Sequence, residues 1–201
     1  MLYLSVILIF IILNIIVDLK YFIRSLFTVL LSRIFQSKCN LNDTTMIYGI
    51  GTYQDCDVRL KSVRLARLVR ELDMARYHFY ELTGIYKRSQ DLNIKSLQGS
   101  TLTITIESIP IFVPYKINTK LVYWDDRSLF LEHEVVTLHD GKRRCFLLSR
   151  QYALGTHGHS SEALLKNLPG SEATFTCPEY IKKWLESMQI SSMNLRKEFE
   201  S

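Results

Sequence analysis

The chain has 201 residues, of which 47% are hydrophobic and 22% charged, which suits one compact domain with a small appendage. A formal charge of +5 permits an anionic ligand or a membrane surface and equally an ordinary surface of lysine and arginine, with no case for a nucleic-acid partner. Cys39, Cys56, Cys145 and Cys177 show neither CxxC pairing nor matching histidine spacing, so no zinc site and no dense disulfide framework is indicated, and reduced thiols facing the cytosol are the simplest account. Serine hydrolase, NTPase and Rossmann readings fall away for want of GxSxG, a P-loop or a dinucleotide glycine pattern.

From Leu2 to Val17 the chain reads LYLSVILIFIILNIIV, with only Ser5 and Asn14 polar. At about 1.5 Å per residue this covers roughly 24 Å of a hydrocarbon core about 30 Å thick, and Lys20 and Arg24 follow where they can snorkel to the interface. Residues 1–38 are therefore read as an uncleaved anchor with a juxtamembrane helix. The alternative, secretion after signal-peptide cleavage, lacks a basic residue before Asp18 and an A-x-A-like site. Lys20, Arg24, Arg33 and Lys38 against an uncharged N-terminal side place the following domain in the cytoplasm. The membrane expected is an internal one, the endoplasmic reticulum. Leu19, Phe22, Ile23, Leu26 and Leu30 continue an apolar helical stripe with two open placements, along the lipid headgroups or on the globular domain. CNLNDTT, residues 39–45, reads as a linker. Its Asn42-Asp43-Thr44 sequon is unused in this topology, and a glycan there would reverse it.

The globular part is expected over residues 46–190, with a tail at 191–201. MIYGIGTYQDCD suggests a short strand ending at Asp55 and Asp57. A helix follows, with Leu65, Leu68, Leu72, Ala75 and Phe79 on one stripe and Gly84 as its stop. Four strand candidates come next: STLTITIES, with Leu102, Ile104 and Ile106 on one face, then IFVPYKINTKLVYWD, SLFLEHEVVTL and RRCFLLSRQYAL. Asp125-Asp126 and His139-Asp140-Gly141 mark the hairpins. CPEYIKKWLESM, opening at Pro178, is a last helix. One long helix followed by an antiparallel meander argues an α+β domain with the sheet wrapped around the helix.

The D-x-D pair, RELDMARYHFYELTG, the hairpin YWDDRSLFLEHEVVTLHDG and a strand ending RQYALGT together resemble the thioesterase-superfamily-member-six family, membrane-associated relatives of the hotdog-fold acyl-CoA thioesterases. The resemblance covers roughly residues 1 to 190. It implies a hotdog fold behind an N-terminal hydrophobic anchor helix and an acyl-CoA or acyl-lipid ligand, with no cofactor. A lone hotdog layer leaves one sheet edge unpaired, and the resemblance implies a homodimer that closes it. It also implies an Asp at the turn into the central helix, acting as nucleophile or general base while a helix N-terminal N–H polarises the thioester carbonyl. Asp57 best matches that Asp and Asp55 its companion. The family's L-L-L-H-M-N-N-A-R-Y run is absent, however. Ser62 to Leu65 fall where its His-Met-Asn-Asn box belongs, and the spacing from Asp57 to Glu71 is one residue longer.

That departure leaves two outcomes open: a looser turn that keeps Asp57 in the pocket, or a rotated Asp57 that serves only the turn. Glu71 could be the helix carboxylate of another hotdog branch or one half of an i, i+4 pair with Arg67. Arg59, Lys61, Arg64, Arg67 and Arg70 could meet coenzyme A phosphates or acidic headgroups, with Arg64 and Arg67 the foremost, or form a solvated face. Cys56, between two acids, is a poor nucleophile, and His157-Gly158-His159 lacks a partner for a metal site. Two function classes follow: a membrane-tethered acyl-CoA thioesterase using Asp57, or a thioesterase-like module with weak or absent hydrolysis that binds an acyl chain, lipid or protein partner.

Overall fold

The computed structural model describes residues 3, 5–8, 19–155, 158–159, 161–172 and 176–200. The expected anchor, Leu2–Val17, lies for the greater part outside them. Among the described residues no helix is long and apolar enough to cross a membrane.

After helix α1 (Leu19–Phe35) come β1 (Thr45–Ile50) and the long α2 (Leu65–Thr83), which a short α3 (Ile85–Asp91) follows directly. Then come β2 (Lys95–Thr105), β3 (Pro114–Trp124), β4 (Ser128–Thr137), β5 (Arg143–Gly155) and a two-residue β6 (Gly158–His159); β3, β4 and β5 form a meander, while β2, expected to open it, crosses to the far side of β5. Helices α4 (Ser161–Leu165) and α5 (Glu179–Glu200) close the chain, and α5 runs on through the stretch read as a tail. The antiparallel sheet has the order β1-β3-β4-β5-β2, with β6 beside β5. Asp125 Oδ1 accepts the N–H groups of Arg127 and Ser128 at 2.8 and 2.7 Å to shape one hairpin. Gly141, at φ 66°, shapes the other.

α2 is the axis of the hotdog. Leu68, Leu72, Ala75 and Phe79 are buried against Ile117, Leu121, Leu131, Val135 and Leu147 of the sheet. Leu65, the first residue of the expected stripe, stays exposed, because the helix has barely begun there. Gly84 ends α2 in the left-handed conformation at φ 84°, which a glycine adopts without a Cβ penalty. β4 is buried on both faces. Leu131, His133 and Val135 point at α2, while Phe130 meets Ile181 and Trp184 of α5 on the outer side. The two apolar clusters beneath α2 are separated by a polar row, in which Thr119 Oγ1 and Ser149 Oγ lie 3.0 and 2.9 Å from the two ring nitrogens of His133. Burial pushes that imidazole down to about 3.

The stretch read as a linker is pinned to the domain. The N–H of Cys39 donates to Leu82 O and that of Leu41 to Pro169 O, and the Leu41 side chain is fully buried. α1 lies along α2, joined by Arg24–Glu71 and Arg33–Glu81 ion pairs. At the far edge of the sheet, β2 pairs, among the described residues, with β5 alone. Leu102 tucks under α5, whereas Ile104 and Ile106 stand exposed.

Candidate functional site

Fourteen residues of loop connect β1 to α2, and the two aspartates of the DCD stretch leave this loop in opposite directions. Asp55 ends a short 3-10 turn and faces inward, only 4% exposed. Its Oδ2 accepts the N–H and the hydroxyl of Thr52, both at 2.9 Å, and its Oδ1 lies 2.8 Å from Arg67 Nε. Asp57 instead folds onto its own loop. Oδ1 accepts the Lys61 N–H at 3.1 Å and Oδ2 the Ser62 hydroxyl at 3.2 Å. The Lys61 N–H is the main reason its carboxyl is held below the usual range.

The one-residue excess between Asp57 and Glu71 is absorbed in this loop. Leu60 takes φ 56° and its N–H returns to Asp57 O at 3.0 Å, while the Asp57 N–H donates to Ser62 O at 2.8 Å. A left-handed leucine is a strained way to turn, and it persists because the loop ends are tied to each other and to Pro110. Ser62, standing where the box would begin, has become a donor to Asp57. The turn takes up the extra residue, and the Asp57 side chain serves that turn.

Glu71 is 1% exposed, and its main partner is not Arg67. Arg24 Nη1 of α1 sits 2.8 Å from Oε1 and 2.7 Å from Oε2, whereas Arg67 Nη2 is 3.5 Å away. The expected i, i+4 pair therefore exists, but it is the lesser contact, and Arg67 reaches mainly toward Asp55. Burial raises the Glu71 carboxyl while both guanidiniums oppose the rise. Tyr115 packs close by, buried, with its phenol pushed upward by that burial. Its ring crosses β1 where the backbone must come close: a Cβ on Gly49 would lie 2.6 Å from it. Asp55, Arg67, Glu71 and Arg24 thus form one chain of alternating charge. It holds the DCD turn against α2, and α2 against α1. No spacing in the sequence could have paired residue 24 with residue 71.

Arg64 and Arg67 do come together, with Arg70, Gln54, Asp55 and Ala66, around a cleft of 280 Å³ at the start of α2. Arg64 Nη2 donates to Gln54 O at 3.1 Å, and the Arg70 guanidinium lies 4.1 Å above the Tyr21 ring. Arg59 and Lys61 are exposed on the loop outside it. Guanidiniums beside the N-terminal N–H groups of a helix make a setting for a phosphate or carboxylate. A second cleft of 330 Å³, mostly apolar, is lined by Arg24, Tyr48, Gly49, Ile50 and Thr52. Cys56 is buried and its thiol is pushed up by burial and then by Asp57 and Asp55, so it is no nucleophile. His157 lies outside the described residues, among which no three His, Cys, Asp or Glu gather to hold a metal.

Fold and site together define a class. The sequence pattern of the thioesterase-like superfamily matches residues 52–185. A Drosophila melanogaster protein, Protein THEM6, is 44% identical over 187 residues, spanning 93% of this chain and 95% of its own length. Protein THEM6 of Xenopus laevis is 27% identical, over 90% of this chain and 86% of its own. Among solved structures, a 1,4-dihydroxy-2-naphthoyl-CoA thioesterase from Synechocystis superposes with a TM-score of 0.52 at 5% identity, covering 62% of this chain and 97% of its own. The SAV2348 protein of Staphylococcus aureus, solved in complex with CoA, gives 0.52 at 15% identity over 72% and 96%. At such identities the likeness is one of fold. The chain belongs to the thioesterase-like superfamily and, within it, to the family of the THEM6 proteins.

Proposed function

We propose that the protein is a membrane-attached, thioesterase-like hotdog protein that binds acyl-CoA or acyl-lipid ligands and hydrolyses thioesters weakly or not at all. The observation that carries this reading is the state of the three carboxylates. Asp57 is bound into its own loop by Lys61 and Ser62, and Asp55 and Glu71 are locked into ion pairs. A general base has to reach the attacking water within hydrogen-bond distance, and none of the three is presented to a ligand in that way. The arginine-lined cleft at the start of α2 supplies the anion-binding half of such a ligand site, and a CoA complex is known for one protein of this fold.

The test is to measure binding and hydrolysis of a panel of acyl-CoA thioesters by the full chain in detergent. Binding with slow turnover is expected, and Asp57→Asn should change the rate by less than about threefold, far from the 10²–10⁴ that a general base contributes. One feature favours the second reading, an active thioesterase: Asp57 stands at the turn into α2 with its carboxyl held ionised. A fast wild-type rate abolished by Asp57→Asn would establish that alternative.

The same reading includes attachment through Leu2–Val17 to the endoplasmic reticulum, with the domain on the cytoplasmic side, supported by the one-sided basic flank. It also includes a homodimer. The eleven residues of β2 leave an unpaired edge with exposed Ile104 and no proline to block pairing, a shape that a second copy satisfies by strand addition. Sedimentation at micromolar concentration should find two chains per particle, and a strict monomer would refute the pairing.

A further inference from the structure

α1 is docked inside out. Apart from the Tyr21 ring, which packs on the core, the contacts recorded between it and the domain are polar: the Tyr21 hydroxyl donates to Asp73 at 3.5 Å, Arg24 grips Glu71, and Arg33 donates to both oxygens of Glu81 at 2.9 and 3.0 Å. Ser32 is buried on this side, and just past the helix Gln36 Oε1 lies 2.8 Å from His78 Nε2. The apolar stripe points the other way. Phe22, Ile23, Leu26, Leu30, Ile34 and Phe35 are exposed, from 40% at Leu30 to 77% at Phe35. A helix of a water-soluble domain packs with the opposite orientation, and an apolar strip of this length on a surface marks a contact with something apolar.

The chain itself says what covers it. All residues from Leu2 to Val17 except Ser5 and Asn14 are apolar, and this segment joins Leu19 through Asp18 alone. α1 has basic residues at Lys20, Arg24 and Arg33, no acidic residue, and Lys38 just beyond its end. An apolar face, flanking cations and a contiguous lipophilic segment are the chemistry of a helix lying in the interfacial layer of an anionic bilayer.

Resting on the membrane attachment proposed above, we infer that α1 lies in the plane of the membrane interface, with the face of Phe22, Leu26, Leu30 and Ile34 in the lipid and the opposite face on the domain. The pairs Arg24–Glu71 and Arg33–Glu81 make α1 parallel to α2, so its first turn sits beside Arg70, at the rim of the arginine-lined cleft. The bilayer then runs past the ligand cleft, and a residue of the membrane helix, Arg24, pairs with Glu71, which shares Arg67 with Asp55 of the cleft wall. The ligand class that fits is an acyl amphiphile already resident in the membrane.

The experiment uses the full chain in phosphatidylcholine–phosphatidylserine vesicles. Cysteine is introduced singly at Ile23, Leu30 or Ile34 and, as control, at exposed Lys87 of α3, with Cys39 and Cys177 replaced by serine, and each site carries an environment-sensitive fluorophore. Nitroxide lipids labelled near the headgroup or near the chain end read the depth. The expected result is quenching at all three α1 positions, with the same headgroup-to-chain-end ratio, and none at Lys87. A helix along the membrane normal would spread Ile23 and Ile34 over about 16 Å, so a ratio that changes steadily from one to the other overturns the in-plane placement. Blue-shifted emission without lipid quenching also overturns it, since protein then covers the face, and so does quenching of all three sites by an aqueous agent. A chain that fails to float with vesicles removes the membrane attachment as well. A chain that floats but fails the depth test leaves that attachment, and the acyl-CoA measurements, standing.

Discussion

Replacing Arg67 with methionine is expected to destabilise the domain by about 3–5 kcal/mol, because it leaves two buried carboxylates short of a shared counter-ion. The side chains of Asp55 and Glu71 are 6% and 2% exposed, and Arg67 bridges them. Methionine keeps the volume of the stem, so the loss is electrostatic rather than a cavity. Arg24 still neutralises Glu71 in the variant, and Asp55 keeps Thr52, which puts the expectation at the lower end of that range. Urea unfolding of the full chain in detergent measures it. Asp55→Asn added to Arg67→Met should recover part of the loss, since it removes the charge left alone. A loss below about 1 kcal/mol would place the pair in the class of solvated surface bridges and contradict the buried chain of charges described above.

The second large effect is one of acidity. His133 titrates at about 3 in the folded protein and near 6.5 when unfolded. Between these values the unfolded chain binds one proton more, so stability is fully present above pH 6.5 and falls as the pH drops, by up to about 1.4 kcal/mol per unit. Other groups titrate in acid as well. Asp57 is depressed and adds to the loss, whereas Glu71 is raised and opposes it. The informative quantity is therefore the difference from His133→Gln, whose amide can still meet Thr119 and Ser149 without ionising. Stability profiles from pH 7 to 4 should diverge, with the wild type falling more steeply. Parallel profiles would show that His133 charges in place, and the polar row would then be open to water.

Most of the architecture was legible because it is written in local periodicity. The spacing of Leu68, Leu72, Ala75 and Phe79 fixes the buried face of α2, and three alternating runs separated by Asp- and Gly-containing turns give the β3-β4-β5 meander, whereas β2, expected beside β3, crosses to pair with β5, a long-range pairing that local periodicity does not carry. The strand candidate at residues 100–108 begins earlier than read, at Lys95, because Gly99 carries a bulge under the Tyr152 ring that interrupts the alternation. The site was legible only in outline. Asp55 and Asp57 stand out in the sequence as candidates, but their opposite orientations follow from hydrogen bonds to Thr52 and to Ser62 that no pattern announces. Arg24 stood out only as a snorkelling cation, since its role depends on Glu71, far along the chain. His133 was invisible, for a histidine within an alternating strand carries no mark of being enclosed by two hydroxyls from neighbouring strands.

The parallel course of α1 and α2 has a consequence for ionic strength. Two helices side by side in the same direction bring like ends of their dipoles together, and the two interhelical ion pairs offset that repulsion. They are not equally shielded. Arg33 is more than half exposed, so its attraction for Glu81 fades as the screening length shrinks from about 8 Å at physiological salt, whereas Arg24, over a nearly inaccessible Glu71, is little affected. Added salt therefore loosens α1 from its C-terminal end first, around a pivot at Arg24. In the placement inferred above, the outward stripe would hold the lipid by apolar contact, which screening leaves in place, so salt would loosen the helix from the domain at its C-terminal end while the pivot keeps the two joined.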